Sequence, residues 1–230
     1  MQQAPPSLLE LFINVLTYGL PWTLLLTILS LLIGFGIGVA LALGRVYGPK
    51  EVQWVAKGYE KLFRGIPLLI LLFLLAVASP IFFNIFGPGL PAIVAAATTA
   101  LAIRSAAYQS QIFRGAILSV EEGQMQAARS IGMTDTQATR HIVLPQAFRL
   151  ALPSWSNEYA VVIKDTSYAL AVGVPEMVKV SYNLTVDYPA FFFTIMLVIT
   201  VIYFLFTDPV TNFVGERMTK KLRTLGLGGR

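Results

Sequence analysis

No cysteine occurs among the 230 residues, and only one histidine does. Disulfides, thiolate metal sites and iron–sulfur clusters are thereby excluded, and other metal chemistry has few ligands to draw on. Charge is scarce as well. The chain is 13% charged and 56% hydrophobic, whereas soluble domains carry about a quarter of their residues as charges. The scarcity is organised, because Leu11 to Gly44, Gly65 to Ile103 and Tyr188 to Thr207 contain no Asp, Glu, Lys or Arg. Uncharged apolar windows of that length read as membrane spans. Met1 to Pro6 also lacks Lys and Arg, so the basic region of a cleavable signal is missing and the first span is expected to be retained.

These windows predict an all-α integral membrane protein with one transmembrane domain over residues 1–230. Its spans are expected near 18–43, 66–83, 90–114, 152–174 and 190–207. The second and third form a hairpin, because Ser79-Pro80 and Gly87-Pro88-Gly89 break helices and make turns. The fourth carries Glu158, Lys164 and Asp165 and is counted on topological grounds. Of 17 Lys and Arg, all but Lys164 and Lys179 fall between Arg45 and Arg64, between Arg104 and Arg149, or from Arg217 to Arg230. If those three segments are cytoplasmic, the positive-inside rule places the N-terminus outside and the C-terminus inside, which needs an odd number of spans. Five satisfies it. The 79–91 turn and the weakly acidic 176–187 loop then face outward, and the net charge of +5 needs no nucleic acid to explain it. In the first span Gly34 and Gly38 make a GxxxG pair, a signal of close helix approach and equally of ordinary glycine tolerance in membrane helices.

The most informative segment runs from 119 to 145. Ser119 with Glu122 fits a capping box, starting a helix through Gln126, Ala127, Ala128 and Ile131 to a left-handed turn at Gly132. Thr134 with Gln137 fits a second box, opening a short helix through His141 to Leu144 that Pro145 is expected to close. An alanine followed by a turn glycine also suits a DNA-binding helix-turn-helix. Here the segment is held between two spans, and its second helix offers only Arg140 and His141 for such contacts.

Gln126-Ala127-Ala128, then Gly132, then Ile142, Leu144 and Pro145, resembles the cytoplasmic EAA loop of ATP-binding-cassette (ABC) import permeases, with every spacing matched and Gln126 in place of the usual Glu. The likeness continues through Leu144-Pro145-Gln146-Ala147-Phe148-Arg149, Leu152-Pro153, Asn157-Glu158 and Lys164-Asp165-Thr166-Ser167, wording similar to the polar amino-acid branch. The resemblance implies a multi-pass permease of a prokaryotic cell membrane. It implies that Glu122, Gly123, Gln126, Ala127, Ala128, Gly132, Ile142, Leu144 and Pro145 couple it to a cytoplasmic ABC ATPase dimer. It further implies a second permease copy or sister permease, an extracytoplasmic substrate-binding protein and an amino-acid substrate. No cofactor is expected in this chain. ATP and magnesium belong to the partner, as the chain has no GxxxxGK(S/T) phosphate loop.

Ionisable residues within spans are costly and usually face a bundle interior or a water-filled path. Arg104 or Lys164 could meet a substrate carboxylate and Asp165 its ammonium, with Tyr108, Thr166 and Ser167 adding hydrogen bonds. Alternatively these charges pair with each other and tie the third and fourth spans together. Asn157 and Glu158 are assigned to structure or gating, and Asp165 with Glu158 hints at basic substrates. An enzyme is disfavoured by the lack of HExxH, GxSxG or paired intramembrane aspartates. An ATP-independent transporter or channel is the remaining alternative, without a filter-like loop to support it.

Overall fold

The structure, a computed structural model, describes residues 7–224. Met1–Pro6, on which the retained-span reading rests, and the end of the basic tail at 225–230 lie outside the described residues. Ser7 opens the fold with a capping box: its hydroxyl accepts from the Glu10 N–H and its own N–H donates to the Glu10 carboxylate. Helix α1 (Leu8–Asn14) passes through a π-turn (Val15–Gly19) into α2 (Leu20–Tyr47). Pro21 stands in the first turn of α2, where its missing N–H is tolerated. The result is one apolar rod from Leu9 to Tyr47, longer than the predicted 18–43.

Helix α3 (Lys50–Gly65) is followed after Ile66-Pro67 by α4 (Leu68–Val77), then a 3-10 turn (Ser79–Phe82) and α5 (Phe83–Phe86). The chain bends by 60° between α4 and the Ser79–Phe86 piece, because Pro80 cannot continue the helix. The predicted single helix over 66–83 is therefore broken. Gly87 and Gly89, both at positive φ, turn the chain into α6 (Leu90–Leu118).

Helices α2, α3 and α4 pack around α6. Its buried positions lie on all sides and are mostly Ala, Ser and Thr, small residues that let neighbouring backbones come close. On one side Leu68, Leu71 and Leu72 of α4 pack with Leu26 against Val94, Ala97 and Leu101. On another Ala42, Phe113, Ala116 and Ile117 meet Ala147 and Ala151 of α9 (Leu144–Asp165). Against the third lies α2. A Cβ at Gly34 would come within 2.8 Å of the Gln109 amide and 3.2 Å of the Ala106 backbone, and one at Gly38 within 2.8 Å of the Gln109 Cβ. Gly36, one step round the helix, has nothing within 4 Å. The GxxxG pair is thus a contact surface, and α3 joins the same helix through Tyr59, whose hydroxyl donates to the Ile103 carbonyl at 2.9 Å.

The chain leaves α6 through α7 (Glu122–Ser130) and α8 (Asp135–Ala138), and a π-turn (Thr139–Val143) leads directly into α9. After Asp165 the helix tightens to a 3-10 segment (Thr166–Val172) that ends at left-handed Gly173. The loop expected at 176–187 is a helix, α10 (Met177–Asp187), because the Glu176 carboxylate caps it by accepting from the Val178 and Lys179 N–H groups. Then α11 (Phe192–Val210), a π-turn (Thr211–Glu216) and α12 (Arg217–Thr224) complete the described chain. By length and apolarity three helices among the described residues can cross a membrane, or four with the bent α4–α5 pair. Helix α9 falls short because Arg149, Glu158, Lys164 and Asp165 interrupt its apolar face.

The α2–α6 contact yields a direct test. Gly38→Leu is expected to destabilise the detergent-solubilised protein by about 2 kcal/mol through overpacking, read as a lowered thermal midpoint, while Gly36→Leu leaves the midpoint unchanged.

Candidate functional site

Two regions hold the residues that the sequence singles out. The first is the exposed projection α7–α8. Helix α7 starts at Glu122 with Glu121 as its cap residue and no side-chain cap. The expected Ser119–Glu122 box does not form, because the Ser119 hydroxyl turns back to donate to the Gly115 carbonyl at the end of α6. The helix ends as read. Gly132 has φ +85, its N–H donates to the Arg129 carbonyl and that of Met133 to the Ala128 carbonyl, the paired bonds of a Schellman motif. The second box is formed by Thr134 and Gln137. Arg129 and Asp135 bridge the turn at 2.7 Å, and the carboxylate pushes the Arg129 guanidinium pKa above its ordinary value.

On α7 the residues divide by face. Ala128 is buried, whereas Glu122, Gly123, Gln126 and Ala127 are exposed. Next to them Ile131 is 77% exposed, an apolar knob at the tip. Of the later residues, Ile142 and Leu144 are half-buried and Pro145 is exposed. Pro145 does not close a helix as expected. It occupies the first turn of α9, where an N–H is dispensable. The Leu144 N–H reaches back to the Thr139 carbonyl in the wider π register. From Asp135 to Asp165 the backbone is therefore one continuous helical piece.

The second region lies where α9 passes α6. Arg104 on α6 is hydrogen-bonded and ion-paired to Asp165 at the end of α9, and the guanidinium lies 5.1 Å from the centroid of the Tyr108 ring. Of the residues nominated from sequence, these three come together. Lys164 is exposed and Ser167 half-buried. Thr166 is fully buried, and its hydroxyl donates to the Ile163 carbonyl at 2.7 Å. Glu158 is also buried, accepting from Ser105 at 2.7 Å. Asn157 faces the other way, into a polar groove of about 440 Å³ shared with Thr211, Asn212 and Glu216.

Sequence reading missed three participants. Gln109 is fully buried and connects three helices: its amide donates to the Leu31 carbonyl and the Ser105 hydroxyl, and its oxygen accepts from the Trp155 indole. Glu60 on α3 is buried and accepts from Ser110 at 2.7 Å and Gln111 at 2.9 Å. The repeat of Gln53, Ala56, Glu60 and Phe63 at helical spacing is a signal that would have placed α3 against the bundle. Arg64 lies 5.2 Å from the Tyr108 centroid, at the level of Arg104 and away from the basic segment to which charge counting assigned it.

Residues 33–220 match the family model described as binding-protein-dependent transport system inner membrane component. The chain is 41% identical over 170 residues to the L-cystine transport system permease protein TcyL of Bacillus subtilis, covering 72% of this chain and 70% of that protein. It is 32% identical over 218 residues to the probable glutamine ABC transporter permease protein GlnM of Bacillus subtilis, covering 91% and 97%. Among solved structures, a chain from an amino acid ABC transporter determined with histidines superposes with a TM-score of 0.76 at 31% identity, over 94% of this chain and all of that one.

The Arg104–Asp165 pair predicts a double-mutant result. Asp165→Asn alone is expected to cost about 2 kcal/mol by leaving a half-buried cation unpaired, and adding Arg104→Gln recovers most of the loss, both read by thermal unfolding in mild detergent. Two single variants with wild-type midpoints would show that the pair does not hold the helices.

Proposed function

The chain belongs to the family of binding-protein-dependent transport system inner membrane components, and from that membership we propose how this protein carries amino acids across the membrane. It is the permease subunit of an ABC importer for amino acids, and ATP hydrolysis takes place in a separate chain. In our reading it crosses the membrane five times, with the N-terminus outside and α7–α8 on the cytoplasmic side. The second crossing combines α3 with α4, supported by the contacts of α3 with Ile103 and Ser110 and of α4 with Val94 to Leu101. The fourth is α9 with its 3-10 extension. Two permease copies, or this chain and a sister, enclose the path, and an external binding protein delivers the amino acid.

The observation that carries the mechanism is the continuity of the helical piece from Asp135 to Asp165. An ATPase dimer that grips the exposed face of α7, with Glu122, Gly123, Gln126, Ala127 and Ile131, moves α7. Gly132 and the Arg129–Asp135 bridge transmit that displacement to α8, and α9, helical on both sides of Pro153, carries it to Asp165. ATP and magnesium bound by the dimer supply the energy, favouring the outward-open arrangement when the dimer closes, and hydrolysis restores the inward one. Arg104, Tyr108 and the α9 end line the path, with Lys164 and Ser167 beside them. Gln126 in place of a glutamate removes a charge from the docking face and leaves the slim alanine surface intact.

Affinity purification in mild detergent tests this. A P-loop ATPase is expected to co-purify with the wild-type chain and to be lost with Gly132→Pro, since proline cannot adopt φ +85, while the permease itself remains monodisperse. A folded wild-type permease without any ATPase would contradict the reading.

A further inference from the structure

The acids around Arg104 are all engaged. Asp165 is held by Arg104, Glu158 by the Ser105 hydroxyl, and Glu60 by Ser110 and Gln111. Two cations of this part of the sequence join no ion pair. The ion pairs among the described residues are Arg45–Glu60, Arg104–Asp165 and Arg129–Asp135, and neither Arg64 nor Lys164, both exposed, joins one.

Arg64 is placed by geometry and lacks a counter-charge. Its guanidinium shares the Tyr108 ring with that of Arg104, at 5.2 and 5.1 Å from the centroid. A ring face attracts cations through its quadrupole but neutralises neither of them. Helix continuity also fails beside Arg64, as α3 stops at Gly65 and α4 starts at Leu68. Broken membrane helices of transporters commonly place such ends at the solute.

We propose that Arg64 contacts the transported amino acid directly, binding its carboxylate, and that this corner favours substrates without net positive charge over basic ones. The proposal rests on the reading of Arg104 and Tyr108 as path-lining. It reverses the hint of basic substrates that Asp165 and Glu158 give in the sequence, because both carboxylates are already committed to protein partners. A rival role for Arg64 is simply to offset the C-terminal dipole of α3, and such a role is indifferent to the ligand's carboxylate.

The test is calorimetric titration of the purified permease–ATPase complex, without binding protein, with the common L-amino acids and L-cystine. The tightest binder is then compared with its own carboxamide. Arg64→Gln is expected to weaken the amino acid by roughly tenfold, as befits loss of a charge-assisted pair, and to leave the carboxamide unchanged or tighter. Arg64→Lys falls between, since it keeps the charge and loses the planar fork. Equal weakening of both ligands, a basic amino acid as the tightest wild-type ligand, or no binding to a complex that hydrolyses ATP would each overturn the proposal. The importer reading fails separately, by the absence of an ATPase from the wild-type preparation.

Discussion

The close approach of α2 to α6 across Gly34, Gly38 and Gln109 is the constraint on which the rest of the structure depends. Without side chains at the two glycines, the backbones come near enough for the Gln109 amide to donate to the Leu31 carbonyl. The same side chain accepts from Trp155 on α9 and donates to Ser105, which donates in turn to Glu158. In an apolar surrounding a polar group left unpaired is expensive, so each member fixes the others. Three helices are thereby held in one register, and Arg104 meets Asp165 as a consequence.

That arrangement separates a rigid part from a part that can be pushed. The α2–α6 pair is closely packed, whereas α7 and α8 project from it with an exposed face and a single buried alanine each, Ala128 and Ala138. From α8 the chain continues through the π-turn into α9 as one helical piece that ends at Asp165. At the opposite end of the bundle Glu176 caps α10 and accepts from Tyr203 of α11, and the Met177 N–H donates to Thr23 of α2. A Cβ at Gly19 would stand 2.7 Å from the Met177 Cα. The start of α10 is thus tied to both α2 and α11.

Much of this was legible in the sequence, for identifiable reasons. Gly132 and the Thr134–Gln137 box are local signals, and local backbone chemistry honoured them. The Ser119 box failed because the same hydroxyl had a nearer acceptor in the preceding helix. Pro145 was misread as a stop because a π-turn upstream changes which carbonyl seeks a donor, a shift no residue type announces. Charge counting assigned Arg64 to a loop, whereas the helical repeat on α3 buries Glu60 and carries Arg64 up to Tyr108. Pairing of Arg104 with Asp165 was one of two readings that the residue types allowed, and the antiparallel course of α6 and α9 is what brings the two side chains together.

The most direct measurement of the central claim is uptake into proteoliposomes that contain this chain, its ATPase and its binding protein. Uptake is expected to require ATP on the side to which α7 projects and to persist when an ionophore collapses the ion gradients. Uptake that continues without ATP and ceases with the ionophore would contradict it.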